Sequence, residues 1–230
     1  ELTGTKTMVL DGHTADALII VARQPNSYEE EGIALYIVDA RADGIERTVL
    51  PTMDQTRKRA RITLDRVRVS EDSRMQGELS GWKAVTTILD LASIALAAEQ
   101  VGGAERCLTT AVEYAKIREQ FNRPIGSFQA IKHLCADMLL RVESARSVAW
   151  YAAWAAAEHS QEVAEAAAHA KSYCSEAFFE CAGDSIQIHG GIGFTWEHEA
   201  HIYFKRAQSS QNLFGSPSLH RERIAAELGL

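Results

Sequence analysis

The sequence predicts an α+β protein: an antiparallel β-sheet or partial barrel fragment over residues 1–79, then an up-and-down four-helix bundle over 80–230. Three observations carry that prediction. The first third alternates β-branched and aromatic residues with turn-formers. After Ser80-Gly81 the chain becomes alanine-rich with almost no proline. The apolar residues that follow recur at helical rather than strand spacing.

Strands are expected near Lys6–Leu10, Ala17–Arg23, Ile33–Val38 and Ile62–Val69, divided by Asp11-Gly12, Pro25-Asn26-Ser27 and Asp43-Gly44. Ile62, Leu64, Val67 and Val69 alternate imperfectly with charged residues, as a strand with one wet face does. From Trp82 to about Arg118, Val85, Ile88, Leu89, Ala92 and Leu96 mark the apolar face of a long helix. Asn122-Arg123-Pro124-Ile125-Gly126 breaks it, and Ser127 can cap a second helix running from Phe128 toward Glu158. A third is expected from about Gln161 to Ala182 and a fourth from Glu197 to Ser210. Ser216-Pro217 should cap a last short one. Long helices with brief connections form bundles, and the alanine density of Ala152–Ala170 suits close helix packing.

With 230 residues, 46% of them hydrophobic, the chain can bury a substantial core. Run lengths give no expectation of a membrane span, and the opening residues lack a basic stretch followed by an apolar one, so a cytoplasmic location is expected. Cys107, Cys135, Cys174 and Cys181 fall in helical patterns without CxxC spacing, as buried free thiols do. A net charge of −7 argues against a nucleic-acid partner, which needs a cationic surface to displace counterions. Arg57-Lys58-Arg59-Ala60-Arg61 is the local exception. It suits a solvated turn before a strand, with a phosphate contact or a subunit ion-pair patch as the alternatives.

Two segments carry chemistry. Arg118-Glu119-Gln120-Phe121 lies where a long helix ends, offering a planar fork of donors for a pyrophosphate and a flat face for a ring, although alone it also suits an interhelical salt bridge. Gln187-Ile188-His189-Gly190-Gly191-Ile192-Gly193-Phe194 clusters glycines that let a backbone approach an anion, although alone it also suits a helix-ending turn. It does not follow a strand as GxGxxG does, so the Rossmann mechanism does not apply.

Together these segments make the chain resemble the acyl-CoA dehydrogenase flavoprotein family. The resemblance runs from Gly4-Thr5-Lys6 through Ala15-Asp16, Val67-Arg68-Val69, Asp90, Arg118–Phe121, Phe128-Gln129 and Gln187–Phe194. It implies the C-terminal part of a longer protein, lacking the family's N-terminal helical domain and the start of its strand domain. It also implies FAD lying across a subunit interface in a dimer of dimers, an acyl-CoA substrate and an electron-transfer acceptor. Arg118, Gln120, Phe121, Gln129, Gln187, Gly190 and Gly191 match the family's cofactor-binding positions, reaching the FAD of a neighbouring subunit.

The reactive end departs from the family pattern. Most members place the catalytic glutamate before a Gly-Thr or Gly-Ser pair. Here Gly215-Ser216 is preceded by Phe214. A minority place it two residues after the aspartate matched by Asp90, where this chain has Ala92, and the neighbouring CoA-facing arginine is Ser93. The family's Trp-x-Thr or Trp-x-Ser contact near the flavin ring falls on Met8 and Leu10. Phenylalanine and alanine cannot accept a proton. The resemblance is therefore to the base-lacking subunit of heteromeric members. A homomeric enzyme with a displaced base and a structural subunit without flavin stand as alternatives.

Other candidates are weaker. Glu99 lies too far along its helix from Ala92 to replace the base. Glu176, Glu180 and Asp184 read as a solvated acidic face. His198-Glu199-Ala200-His201 lacks a third ligand at metal spacing, and Ser175 and Ser185 have no nucleophile elbow.

Overall fold

The computed structural model describes residues 1–230. The chain divides into two compact units, Glu1–Ile88 and Leu89–Leu230.

The first unit holds five strands: β1 (Leu2–Leu10), β2 (Ala17–Arg23), β3 (Ile33–Asp39), β4 (Ile45–Leu50) and β5 (Arg59–Val67). All pairings are antiparallel, in a three-stranded sheet ordered β1-β5-β4 and a β2-β3 hairpin paired from Ala17↔Asp39 to Arg23↔Ile33. Central β5 buries Ala60, Ile62, Leu64 and Val67 against Leu18, Ile20 and Val38. A shift of register between Lys6 and Val9 leaves Met8 with φ of 59° and half exposed, an irregularity in β1 of the kind a bulge produces.

Three strand expectations need correction. β4 was not anticipated, because Ile45–Leu50 is short and none of its residues is fully buried. β1 begins four residues earlier than Lys6. β5 begins at Arg59, with Arg59 and Ala60 buried, so the Arg57–Arg61 run is partly strand and not a solvated turn.

The helices are α1 (Gly81–Ile117), α2 (Gln129–Ala157), α3 (Val163–His189), α4 (Ala200–Asn212) and α5 (Pro217–Glu227). In the second unit two core layers join α1, α2 and α3. One is built from Ile94, Ala97, Val101, Ala145, Ala149 and Ala170, and the other surrounds Met138, Val142, Phe178 and Cys181. Gly103 makes the second layer possible: a Cβ there would lie 2.4 Å from Phe178 Cζ, so the ring packs directly on the α1 backbone.

The capping of α2 differs from expectation. Ser127 belongs to a 3-10 turn, Ile125–Ser127, and Phe128 holds the cap position without any side-chain bond. Helix α3 runs seven residues past Ala182 through Gly183, Asp184 and Ser185, weak helix formers overridden by packing. Helix α4 starts at Ala200, three residues after Glu197. Ser216 does cap α5, its hydroxyl accepting from the Leu219 amide at 3.3 Å.

On length and composition α1 is apolar enough to cross a membrane, with a window of mean hydropathy 1.4, contrary to the expectation from run lengths. In this structure its Ile94, Ala97, Val101 and Ala104 are core residues packed against α2 and α3. All four cysteines are free, and burial pushes the Cys107, Cys174 and Cys181 thiols up to about 12.

Candidate functional site

Helix α1 ends one residue before Arg118, whose amide donates to the Tyr114 carbonyl at 2.9 Å and closes the last turn. A tight hairpin follows, pairing Gln120 with Arg123. Its two corner residues, Phe121 and Asn122, have φ of 54° and 58°, the left-handed pair that a two-residue hairpin loop demands. Asparagine takes that conformation readily, whereas phenylalanine does so at a cost. Phe121 is also 87% exposed, its ring in an edge-to-face arrangement with Phe128 at 6.1 Å between centroids. A strained, solvent-facing aromatic is a feature of binding sites more than of cores. Arg118 is exposed, and its guanidinium has neither hydrogen bond nor ion pair.

The glycine-rich segment is a helix end followed by a 3-10 turn, Gly190–Phe194. Gly190 closes α3 with φ of 65° and ψ of −141°, a conformation that residues with a side chain adopt only under strain. Beyond both Gly190 and Gly191 the space where a Cβ would lie is empty to 4 Å. Both glycines and Gln187 are exposed, while His189 and Gly193 are buried beneath them. The result is a backbone cradle left clear of side chains, suited to close approach by an anion.

The two segments meet through a contact that spacing did not reveal. The His189 ring at the end of α3 lies 4.6 Å from the ring of Tyr114 on α1 and 4.4 Å from that of His198. The sequence did hold a signal, since Tyr114 sits one helical turn before Arg118 and His189 directly precedes Gly190. Gln129 is exposed at the first turn of α2, which the same hairpin precedes.

The other reactive-end positions lie away from this pair in sequence. Phe214 occupies the turn between α4 and α5, with φ of 61°, and its carbonyl accepts from His220 Nε2 at 3.0 Å. The adjoining Gly215 carbonyl accepts from Lys171 Nζ at 3.0 Å, as does that of Gln211. Lys171 is wholly buried, and desolvation brings its ammonium down to about 8. A lysine beside Ala166, Ala167, Ala168 and Ala170 is a legible anomaly in the sequence, a charge placed in an otherwise small and apolar run. Ala92 is half-buried on α1, and the buried Ser93 hydroxyl donates to the Leu89 carbonyl at 2.7 Å. In the first unit Met8 is 46% exposed and Leu10 half-buried.

Nearby carboxylates are engaged. Asp90 binds Arg223 at 2.8 Å, and Glu99 is gripped by both Nε and Nη2 of Arg206 at 3.0 and 3.1 Å. The acidic row on α3 is not a free solvated face: Arg141 bridges Glu180 and Asp184, and Arg221 binds Glu176. His198 Nδ1 accepts from the Ala200 amide at 3.1 Å at the start of α4. No group of three or more His, Cys, Asp or Glu is arranged to hold a metal ion.

Residues 80–229 match the family described as acyl-CoA dehydrogenase, C-terminal domain. The chain belongs to the acyl-CoA dehydrogenase family, whose members are FAD-dependent oxidoreductases. Acyl-CoA dehydrogenase IpdE2 of Mycobacterium tuberculosis (strain ATCC 25618 / H37Rv) is 45% identical over 177 residues, 77% of this chain and 50% of IpdE2. Butyryl-CoA dehydrogenase from Megasphaera elsdenii superposes with a TM-score of 0.94 at 28% identity, over 100% of this chain and 60% of that one. A chain of the ChsE4-ChsE5 complex from Mycobacterium tuberculosis superposes with a TM-score of 0.89 at 32% identity, over 99% and 59% respectively. This chain thus spans about half the length of the curated relative it matches.

Proposed function

We propose that this chain clasps the ADP portion of FAD at a subunit interface and thereby completes the site of a partner that oxidises an acyl-CoA thioester to the enoyl-CoA. FAD, when bound, supplies the hydride acceptor for that oxidation. Arg118 would pair with the pyrophosphate, Phe121 would offer its face to the adenosine, and the Gly190-Gly191 backbone would admit the phosphates. Gln120, Gln129 and Gln187 would add polar contacts. The observation that carries this reading is the contrast between the two ends. Arg118 has no partner in the chain and no other group crowds the Cβ positions of Gly190 and Gly191, so the residues present fit a dinucleotide's anionic centre.

The reactive end offers no equivalent. Removing a proton beside a thioester carbonyl needs a positioned carboxylate, and Phe214 and Ala92 stand where family resemblance would put it. Glu99 and Asp90, the carboxylates nearest in sequence to Ala92, are held by arginines. We therefore assign the base to a different kind of subunit in a heteromeric dimer of dimers, with a separate electron-transfer protein as acceptor. Free thiols throughout the chain fit a cytoplasmic setting.

The full-length polypeptide, purified alone and with its partner subunit, tests this. Absorbance in the flavin bands should accompany the assembled complex. Arg118→Ala in this chain should weaken FAD there by about tenfold or more, the worth of one charge-assisted contact. A flavin-free complex, or FAD affinity unmoved by that substitution, would overturn the assignment.

A further inference from the structure

If the clasp binds FAD as proposed, something must hold its two halves at a fixed separation, since they come from helices 69 residues apart at Arg118 and Gln187. No direct hydrogen bond does so: the side chains of Arg118, Gln120 and Gln187 are exposed, and the sequences Arg118–Phe121 and Gln187–Gly191 make no hydrogen bond to one another.

We infer that His189 is the positioning residue of the clasp, its ring forming the middle layer of a Tyr114–His189–His198 stack that fixes the end of α1, the end of α3 and the start of α4 relative to each other. Each layer is tied to one element. Tyr114 carries the carbonyl that receives the Arg118 amide at 2.9 Å, so its place sets where the hairpin leaves α1. His189 is 5% exposed, and its Nδ1 lies 2.7 Å from the Ser185 carbonyl. Only an N–H can bond a carbonyl oxygen, so that nitrogen carries the proton and the ring orientation is fixed. His198 uses Nδ1 to accept from the Ala200 amide at 3.1 Å, anchoring its ring at the start of α4.

The glycine turn rests directly on this assembly. A Cβ on Gly193 would lie 3.1 Å from His189 Cβ and 3.2 Å from the Ile186 carbonyl, so the turn folds back closely onto the histidine and a side chain there would require the two to give by a few tenths of an ångström. His189 makes no exposed contact of its own, and Gly190 and Gly191 face outward above it. Its part is indirect: it sets the ground on which both ligand-facing segments stand. Binding to a clasp held in register avoids the ordering cost that a loose one would meet.

The test uses the full-length polypeptide in complex with its partner, FAD titration, melting, and hydrogen exchange of the segments 117–124 and 187–194. His189→Leu keeps apolar volume but removes the aromatic layer and the donor. His189→Phe restores the ring. We expect His189→Leu to weaken FAD by about tenfold or more, with exchange rising in both segments together, and His189→Phe to recover to within about threefold of the parent. Tyr114→Phe should change nothing, and Tyr114→Ala combined with His189→Leu should be no worse than the poorer single variant, because both disrupt one stack. Wild-type FAD affinity in His189→Leu, equal losses in the leucine and phenylalanine variants, or exchange rising in one segment only would overturn the inference. Failure of the parent complex to bind FAD would instead defeat the functional reading, and the exchange arm, run without FAD, still decides whether His189 couples the two segments.

Discussion

Replacing Gly190 and Gly191 by alanine, one at a time, separates what the backbone requires from what a ligand requires. Gly190 has φ of 65° and ψ of −141°, so alanine there is strained even though its Cβ meets nothing within 4 Å. Such a conformation costs a non-glycine residue about 1–3 kcal/mol, and Gly190→Ala should be destabilised by roughly that. Gly191 lacks a positive φ and also has open space at its Cβ position, so Gly191→Ala is free of both strain and collision. Its stability should stay within about 0.5 kcal/mol of the parent. FAD binding should nevertheless fall, because the new methyl would stand where phosphate oxygens approach the backbone amides. Losing one such charge-assisted bond is worth about 1.5–3 kcal/mol, or roughly 10- to 150-fold in Kd. Melting curves and fluorescence titration of FAD in the full-length complex measure the two effects independently. A Gly191→Ala protein with unchanged stability and unchanged FAD affinity would refute the idea that the nucleotide lies against this turn.

Other expectations follow from the packing. Phe178→Ala should cost about 3–5 kcal/mol through an unfilled cavity, and Gly103→Ala about 1–3 kcal/mol by overpacking, since the new methyl would sit 2.4 Å from Phe178 Cζ; chemical denaturation measures both. Burial holds His220 below its ordinary range, with its bond to Phe214 opposing and the charges of Lys171 and Arg223 adding. The unfolded chain then binds the proton more readily, so His220 contributes stability that is present above about pH 6.5 and is lost as pH falls through the folded value. His220→Gln, which can still donate to Phe214 but does not titrate, should flatten the fall in Tm between pH 7 and 5; an unchanged slope would show that His220 does not contribute to it. With burial raising Cys107, Cys174 and Cys181 to about 12, those thiols should resist an aromatic disulfide reagent at pH 8 until the protein unfolds, leaving Cys135 as this chain's first to react.

Legibility followed the local physics. Helix α1 could be placed within a residue at each end because its apolar spacing is long and Asn122–Gly126 interrupts it sharply. Ser216-Pro217 was legible because capping is a property of two adjacent residues. The end of α3 extends past what its residue types suggest because Gly183, Asp184 and Ser185 are poor helix formers in isolation, while the turn is held by Arg141 on α2 and by burial of Ser185, Ile186, Ile188 and His189. Ser127 was a reasonable cap by residue type, yet the chain spends it in a 3-10 turn. Strand β4 has no fully buried residue and pairs only with β5, so its weak alternation meant little until β5 was located. At the candidate site the bare ends were readable from Arg118 and the glycines. The Tyr114–His189–His198 stack was only hinted at by the neighbours of Arg118 and Gly190, because packing brings Tyr114 on α1 against His189, 75 residues further along the chain.

An anaerobic half-reaction tests the proposed division of labour most directly. The full-length polypeptide as a homomer, and its complex with the partner subunit, should each be mixed with a panel of saturated acyl-CoA thioesters of increasing chain length while flavin absorbance is followed. The complex should bleach with at least one thioester and the homomer with none. Bleaching by the homomer, with a carboxylate of this chain shown to be required for it, would contradict the division of labour proposed between the two subunits.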